Sequence, residues 1–259
     1  MNPMTTPAKT ILGLFGAGLL ASAALAAAEH GYTDTPFLPG TPWRVHDARR
    51  PFAPHVEPGA RAGMPPSDAI VLFDGKDLSQ WVGVRDGTIA DGSFDIQRTG
   101  GIQTRQEFGD CQLHVEWATP AVPDSDEMNW GNSGVLLLGK YEVQIIQSEI
   151  YADGVSGAIY GQTPPLVYPM RPAGQWQVYD IVFTAPRFDG ERLVSPAYFT
   201  VLWNGVLVQD HAAALGPTRH RELATYDFKG TRGPLVLQYH NSAVRFRNIW
   251  IRPIDRDGH

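Results

Sequence analysis

Short apolar runs in which every second position is polar recur along the chain after Asp68, separated by turn residues. This alternation is typical of β-strands, because successive side chains of a strand point to opposite faces of the sheet. The runs predict strands over residues 70–73, 93–97, 111–118, 133–138, 141–148, 175–183, 197–203, 206–209, 234–240 and 244–253. Helical periodicity never extends beyond a turn or two. Many short strands joined by Gly- and Pro-containing turns predict an all-β fold, a β-sandwich or jelly roll.

A turn and an arm complete this outline. Asn204-Gly205 lies between two apolar runs and predicts a tight hairpin, because both residues adopt left-handed conformations at low cost. Residues 29–67 are rich in Pro, Gly and aromatic residues but have no periodicity, which predicts an extended Pro-rich N-terminal arm. We therefore assign residues 68–259 to one β-sandwich domain.

The first 28 residues have the pattern of a signal peptide. Lys9 provides a positive charge, residues 11–25 form an uncharged apolar run, and small-x-small sequences that end at Ala26 and Ala28 provide cleavage sites. The apolar run is shorter than the roughly 20 residues of a membrane-spanning helix, and an uncleaved anchor is the alternative. We expect a periplasmic or secreted protein with no membrane contact after cleavage.

Composition and charge exclude several functional classes. Hydrophobic residues make up 43% of the chain and charged residues 19%, which is inconsistent with disorder. The 27 acidic residues outnumber the 21 basic ones, and the net charge of −6 argues against nucleic-acid binding. Because Cys111 is the single cysteine, a disulfide scaffold is excluded, and a small buried residue is its simplest role.

Polar side chains that share one strand face are candidates for a binding site. They are Gln112, His114 and Glu116 on one strand, Glu142 and Gln144 on a second, and Gln238 and His240 on a third. A curved sandwich can gather such faces into a carbohydrate-binding groove, whereas the alternative is an ordinary solvated sheet face. The faces of Arg247 and Asn248 on the final strand stay open, because a bulge there would exchange them.

The strand around Glu142 also bears on glycosidase chemistry. Retaining glucanases on a jelly-roll scaffold resemble each other in a Glu-x-Asp-x-x-Glu strand, whose outer glutamates are the nucleophile and the acid/base. Here the corresponding residues are Glu142, Gln144 and Gln147. An amide cannot act as a carboxylate nucleophile or donate and recover a proton at neutral pH. The sequence therefore does not predict the ordinary two-carboxylate mechanism.

Several local motifs occur in an order that resembles one known family. The motifs are LFDGKDL at 72–78 with Trp81, NSGV at 132–135, GKYEVQ at 139–144, GAIYG at 157–161, PAGQW at 172–176, NGV at 204–206 and FRNI at 246–249. Together they resemble the 3-keto-disaccharide hydrolase domain family over about residues 70–254. The resemblance implies a concanavalin A-like jelly-roll sandwich, secreted or periplasmic, that hydrolyses 3-keto-glycosides.

A ketone at C3 of a sugar opens a route to glycoside cleavage that needs no carboxylate nucleophile. The ketone acidifies the hydrogen on C2, so that a base can remove it, and the enolate then expels the C1 substituent. Water addition to the enone completes a net hydrolysis, whereas a lyase stops at the enone. Such a site needs a base, a group that holds the enolate oxygen and an acid for the leaving group.

These requirements and the resemblance give the expected site residues. The catalytic candidates are Glu142 as the base, His240 as a second acid/base or metal ligand, and Glu116, which would orient His240 or share the metal. The substrate-binding candidates are Asn132, Gln144 and Arg247 as hydrogen-bonding groups, and Tyr160 and Trp176 as stacking rings. The structural alternatives are an ion pair of Glu142 with Arg247, a hydrogen-bonded structural His240 and a core Trp176.

The sequence indicates no certain cofactor. The chain lacks zinc-binding His or Cys pairs and a Gly-rich phosphate loop, while Asp124, Asp126 and Glu127 leave a divalent metal such as Ca²⁺ open. The expected partner is a small-molecule carbohydrate, and the oligomeric state is open. The alternative function is a non-catalytic carbohydrate-binding module on the same fold, which would not need Glu142.

Overall fold

The computed structural model describes residues 30–124 and 126–255, so the predicted signal peptide at residues 1–28 lies outside the described residues. Contacts divide the chain into two units between His55 and Val56. The predicted arm is thereby split, because residues 56–67 belong to the same unit as the β-domain. No helix in the described part is long and apolar enough to cross a membrane.

The first unit, described over residues 30–55, is ordered by local contacts instead of a sheet. The Asp47 carboxylate accepts hydrogen bonds from the backbone N–H groups of Arg49 and Arg44 at 2.9 and 3.0 Å. These bonds lower the pKa of Asp47 to about 2. The Arg44 guanidinium lies 3.9 Å from the centre of the Phe37 ring. Polar and cation–π contacts thus fix this segment.

The second unit consists almost entirely of antiparallel strands. In chain order the elements are β1 (Ile70–Phe73), β2 (Trp81–Val82), β3 (Ile89–Ala90), β4 (Ser93–Asp95), α1 (Ile96–Thr99), β5 (Ile102–Phe108), β6 (Cys111–Ala118), β7 (Ser133–Leu137), β8 (Tyr141–Ile145), β9 (Gln177–Thr184), β10 (Arg187–Asp189), β11 (Arg192–Ser195), β12 (Tyr198–Trp203), β13 (Val206–Ala213), β14 (Gly233–Tyr239) and β15 (Arg245–Pro253). The predicted all-β class is confirmed.

Two antiparallel sheets form the sandwich. The larger has the order β13-β12-β9-β6-β15-β4-β3, with β1 also paired to β15, and the smaller has the order β2-β5-β14-β7-β8. Strands β10 and β11 form a separate two-stranded ribbon. Many neighbouring strands are distant in sequence, which is the connectivity of a jelly roll and not of a meander. The predicted jelly-roll β-sandwich is therefore confirmed.

Large aromatic side chains fill the space between the sheets. Trp117 on β6, Tyr179 on β9 and Trp203 on β12 are fully buried, and their ring centres lie 5.1 to 6.1 Å apart. Each buried aromatic or aliphatic side chain of this size contributes about 1.5–3 kcal/mol through the apolar area removed from water. The Tyr179 hydroxyl also donates to the Gln144 carbonyl at 2.7 Å. This bond ties the larger sheet to β8 of the smaller one.

Most predicted strands are present, and the bounds of β6 match residues 111–118. Residues 96–97 were expected in a strand but begin the single-turn helix α1, which is capped by Asp95 through a 2.8 Å bond from the Gln97 N–H. Strand β5 was missed, because residues 105–107 are three consecutive exposed positions that interrupt the alternation. A register shift in the pairing of β5 with β14 accommodates them.

Two local backbone features were decided by turn and bulge geometry. The Asn204-Gly205 hairpin is confirmed, with φ angles of 52° and 80° between β12 and β13. The pairing of β15 with β6 shifts register after Arg247, and Asn248 has a φ of 44°. This bulge leaves Arg247 and Asn248 both on the outer face, while Phe246 and Ile249 are buried.

Candidate active site

A pocket of about 360 Å³ lies on the outer face of the five-stranded sheet. Strands β14, β7 and β8 are neighbours there, and alternate side chains of each point outward into the pocket. Five residues predicted from the sequence line it together, and they are Asn132, Glu142, Gln144, Tyr160 and His240. The lining is mostly polar, as a ligand rich in hydroxyl groups requires.

Glu142 is the single acid among the described residues that line this pocket. The residue is only 4% exposed, and its carboxylate has no hydrogen-bond or ion-pair partner among the described residues. Burial without a compensating partner disfavours the charged form, and it raises the pKa of Glu142 from 4.5 to about 7. The group can therefore both take up and release a proton near neutral pH.

Gly134 on β7 creates the space that the Glu142 carboxylate occupies. A Cβ atom at residue 134 would lie 2.1 Å from the Glu142 Oε1 atom and 2.9 Å from Cδ. Gly134 pairs across the sheet with Gln144 and Gln238, in the middle of the polar face. A glycine inside a strand often marks such a close approach.

Two segments cover the free edge of β8 and fix its backbone. The backbone carbonyl of Glu142 accepts a hydrogen bond from the Tyr160 N–H at 3.1 Å, and the Gln144 N–H donates to the Ala158 carbonyl at 3.0 Å. The Glu142 N–H donates to the Thr218 hydroxyl at 2.9 Å. An edge strand without such cover would expose unpaired backbone groups. Covering it here also places Tyr160 and Thr218 at the pocket.

His240, directly after β14, lies beside two asparagines. Its Nδ1 lies 3.0 Å from the Asn129 Oδ1 and 3.3 Å from the Asn132 Nδ2. Asn129 also donates to the His240 carbonyl at 2.9 Å. When Nδ1–H donates to Asn129, the neutral ring carries its lone pair on Nε2, which can then accept a proton. Asn129 was not predicted, because it lies in a loop where strand parity gives no signal.

Tyr160 forms a hydrogen-bonded chain with two other rings. Its hydroxyl lies 2.8 Å from the Tyr151 hydroxyl and 2.9 Å from the His220 Nδ1. The Tyr160 and His220 rings are nearly parallel, with centres 6.4 Å apart. Burial is the largest cause that raises the pKa of Tyr160, and Tyr151 and Glu142 add to it. The phenol therefore stays protonated at neutral pH.

The predicted amide groups are also in place. The side-chain oxygen of Gln144 accepts a hydrogen bond from the Ile145 N–H at 3.1 Å, which leaves its amide N–H groups for a ligand. Gln238 lines the same pocket from β14. Amides in this position can bind sugar hydroxyls or a developing oxyanion.

Sequence reasoning missed three further polar residues that line the pocket, namely Lys140, Thr218 and His220. Lys140 lies in the turn between β7 and β8, and its ammonium is 5.5 Å from the centre of the Phe228 ring. Thr218 and His220 lie in the long connection before β14. Strand parity cannot assign a face to residues in turns and loops. The signal that could have found Lys140 is its place in the GKYEVQ motif, two residues before Glu142.

Three predicted site residues lie elsewhere, which corrects the expected site. Glu116 is on β6 and Arg247 on β15, both in the eight-stranded sheet. Arg247 binds Glu116 with an Nε–O distance of 2.6 Å, and its guanidinium lies 4.1 Å from the centre of the Trp176 ring. Glu116 therefore does not orient His240, and Glu142 is not paired with Arg247. Parity correctly assigned outer faces, but the two outer faces belong to different sheets.

The outer face of the eight-stranded sheet contains its own polar cluster around His114. His114 Nδ1 lies 2.6 Å from an Asp180 oxygen, and its ring stacks on Trp250 with centres 5.3 Å apart. Burial alone would lower the pKa of His114, but the Asp180 and Glu116 carboxylates outweigh it and raise the pKa to about 9. Burial would raise the pKa of Glu116, but hydrogen bonds from His114, Asn248 and Arg247 lower it to about 2. The charged and hydrogen-bonding groups of this cluster are therefore paired with one another.

The described residues contain no group of three or more His, Cys, Asp or Glu side chains arranged to hold a metal ion. Asp124, from the acidic loop, accepts hydrogen bonds from the Ser242 hydroxyl and the Ala243 N–H, both at 2.6 Å. That carboxylate therefore fixes the loop between β14 and β15, which begins at His240.

Comparisons with known proteins agree with this architecture. The family model of the 3-keto-alpha-glucoside-1,2-lyase-like domain matches residues 68–252. A candidate glycosyl hydrolase from Parabacteroides distasonis ATCC 8503 is 40% identical, with 83% of this chain and 99% of that chain covered and a TM-score of 0.74. A second candidate glycosyl hydrolase from that organism, 20% identical over 72% of this chain and 99% of its own, shares the fold with a TM-score of 0.55. No curated protein matches the chain.

The family match covers nearly the whole β-domain, including every strand that forms the pocket. It confirms the resemblance that the order of the sequence motifs indicated. The chain therefore belongs to the 3-keto-alpha-glucoside-1,2-lyase-like family and is a carbohydrate-active protein.

Proposed function

We propose that the protein is an enzyme that cleaves 3-keto-glycosides, with Glu142 as the base that removes the C2 proton. One observation carries the proposal: a buried carboxyl without a partner, whose pKa is about 7, lines a polar pocket. Such a group is tuned for proton abstraction and poorly suited to a structural ion pair. Hydration of the enone gives net hydrolysis, and release of the enone gives a lyase.

The chemistry proceeds by elimination. Glu142 takes the C2 proton, and the C–H electron pair forms the enolate with its charge on the C3 oxygen. The enolate then reforms the C3 carbonyl, the C1=C2 double bond forms, and the C1–O bond to the leaving group breaks. Water adds to C1 and a proton returns to C2, which gives the free 3-keto sugar.

Other residues that line the pocket can stabilise the charges that develop during the elimination. Lys140, Asn132 and Gln144 line the same pocket, and their ammonium and amide N–H groups are donors suited to hold the enolate oxygen. His240, fixed by Asn129 through Nδ1, is suited to activate the water that adds to the enone. The base lies on β8, whereas the histidine directly follows β14.

The test compares Glu142→Gln with wild type on a chromogenic 3-keto-β-glucoside and on its parent glucoside. We expect wild type to cleave only the keto sugar, and Glu142→Gln to lose a factor of roughly 10²–10⁴ in rate. Glu149 is an exposed acid further along the chain, and Glu149→Gln is the matched control that keeps full activity. Release from the parent glucoside would contradict the elimination. A run with EDTA shows whether a divalent metal takes part.

A non-catalytic carbohydrate-binding module is the second candidate, and the amide-rich lining of Asn132, Gln144 and Gln238 favours it. A module would bind the keto sugar equally well in wild type and Glu142→Gln, without release from either. Binding measured by calorimetry beside the rate assay separates the two functions.

We also propose export to the periplasm or the medium, supported by the signal-peptide pattern of residues 1–28. Cell fractionation and N-terminal sequencing of the isolated protein test this. An N-terminus at Ala27 or Glu29 in the exported fraction agrees with the proposal, whereas full-length protein in the cytoplasm contradicts it.

A further inference from the structure

A second pocket of about 400 Å³ adjoins the candidate active site. The two pockets share Tyr160 and His220, so this pair of rings forms the boundary between them. Each volume lies in the range of small-molecule sites, roughly 300–1,000 Å³. The two therefore form a cleft with two compartments, and only the first contains Glu142.

The lining of the second pocket suits a sugar ring. Leu223 is 75% exposed and Tyr151 is 44% exposed, so both offer apolar surface that the protein itself does not cover. Arg221 and Asp153 supply polar groups at the same pocket. Arg219 is held by ion pairs to Glu222 and Asp227. Apolar faces beside a few fixed polar groups are typical of pockets that bind small polar ligands.

Tyr160 lies next to Glu142 because of backbone pairing. An antiparallel bridge joins Val143 to Ile159, and the Tyr160 N–H donates to the Glu142 carbonyl at 3.1 Å. Opposed residues of an antiparallel pair direct their side chains to the same face. The base and the phenol thus enter the cleft side by side, with the phenol at the boundary.

We propose that the second pocket binds the leaving sugar of a 3-keto-disaccharide, and that Tyr160 donates the proton to the departing glycosidic oxygen. This inference rests on the proposed function, since it assigns the acid and the second subsite of the same elimination. As the C1–O bond breaks, its electron pair takes the Tyr160 proton, which leaves a hydroxyl on the departing sugar and a phenolate on Tyr160. The proton that Glu142 removed from C2 returns to Tyr160 through water before the next turnover.

The partners of Tyr160 favour this role. Its hydroxyl oxygen can accept bonds from the Tyr151 O–H and, in the Nδ1–H tautomer, from His220. With both donors in place, the Tyr160 proton is free to point to a third acceptor. A donating His220 Nδ1–H also stabilises the phenolate after transfer. Tyr151 and His220 are thus positioning residues.

Three substrates with the same 3-keto-glucosyl group test the proposal. A 3-keto-disaccharide fills the second pocket and needs an acid, and methyl 3-keto-glucoside needs an acid but leaves the pocket empty. 4-Nitrophenyl 3-keto-glucoside needs no acid, because nitrophenolate departs without a proton. We expect Tyr160→Phe to lower kcat by roughly 10²–10⁴ for the first two substrates and by less than about threefold for the third. Tyr198→Phe is the control, since Tyr198 also stacks on a histidine, His211, but lies on β12 of the other sheet.

Leu223→Ala tests the subsite separately from the acid. We expect KM for the disaccharide to rise on the order of fivefold, because apolar contact with the leaving sugar is lost. KM for the methyl glycoside stays unchanged. The side chain is largely exposed, so this variant folds normally.

The outcomes separate this inference from the proposed function. Equal loss on all three substrates in Tyr160→Phe would overturn the role as acid, and unchanged KM values in Leu223→Ala would overturn the subsite. If wild type cleaves none of the keto substrates, the proposed function fails and the inference fails with it. Cleavage of all three by wild type, with no selective effect of either variant, leaves the function standing and refutes the inference alone.

Discussion

Glu142 owes its chemical character to what surrounds it and not to its position in a motif. The carboxyl is buried beside Gly134, and no cation or hydrogen-bond donor among the described residues compensates for its lost hydration. Its pKa of about 7 follows from that burial alone. Two predictions belong to this residue.

The rate should depend on pH through the ionisation of Glu142. Because the base acts as the carboxylate, kcat/KM for a 3-keto-glucoside should rise tenfold per pH unit below about 7 and level off above it. A pH–rate profile from pH 4.5 to 9 measures this. An apparent pKa near 4.5 in this profile, the ordinary value for a glutamate, would show that the buried group is not the base.

Stability should depend on pH through the same group, with the opposite sign. The folded pKa of about 7 lies above the unfolded value of 4.5, so the folded state binds more protons between these values and the free energy of unfolding falls as pH rises. The loss is on the order of 3 kcal/mol between pH 4.5 and 7, and it should be absent in Glu142→Gln. Urea unfolding of both proteins at a series of pH values measures it. Parallel pH dependence in the two proteins would contradict the assignment.

Strand β7 shapes the site because Gly134 has no side chain to occupy the space of the Glu142 carboxylate. The Cβ of Gly134→Ala would lie 2.1 Å from the Glu142 Oε1, so the carboxylate must move. We expect kcat/KM to fall about a hundredfold, as displacements near 1 Å do at catalytic groups. Gly87→Ala is the control, because its nearest neighbour would be Val84 Cγ1 at 3.8 Å. Full activity in Gly134→Ala would show that the position of Glu142 is not critical.

At the scale of strands, the sequence predicted faces well and partners poorly. Alternation correctly directed Glu142, Gln144, Gln238 and His240 away from the core, because the period of a strand is local and fixed. The same argument placed Glu116 with them, although β6 belongs to the other sheet. Strand pairing depends on contacts between segments far apart in sequence, which a local pattern does not encode.

Loop residues at the site were beyond sequence reasoning for a related reason. Asn129, Thr218 and His220 lie in connections, and they reach the pocket through hydrogen bonds to His240, the β8 backbone and Tyr160. No periodicity marks such positions. Tyr160 was found only through the resemblance, and its partners required the structure.

At the scale of the whole molecule, the outer faces of the two sheets differ in how their charged groups are paired. The cluster of His114, Glu116 and Arg247 is internally paired, and Gly63 covers it by accepting bonds from Asn248 and Trp250 at 2.9 Å. Since the folded pKa of Glu116 is lowered to about 2, its stabilisation is present above 4.5 and lost towards pH 2. The raised pKa of His114 gives stabilisation that is present below 6.5 and lost as pH rises through about 9.

Arg247→Met should therefore affect stability and not catalysis. It leaves the Glu116 carboxylate without its 2.6 Å partner, and we expect a loss of about 1–3 kcal/mol in the free energy of unfolding. The control Arg192→Met removes an exposed pair with Asp189 and should cost almost nothing. Urea unfolding and kcat/KM on the keto sugar measure both effects. A large fall in kcat/KM would place the substrate on this face instead.

The most direct measurement of the central claim is cleavage of a 3-keto-glucoside in D₂O, with NMR of the first sugar product formed. Elimination and hydration by way of Glu142 predict one deuterium at C2 of that product. If the enone itself is released, the product carries no hydrogen at C2. Free 3-keto sugar kept in D₂O without enzyme controls for spontaneous exchange. Product that retains its original C2 hydrogen would contradict the account, because direct displacement at C1 never breaks that bond.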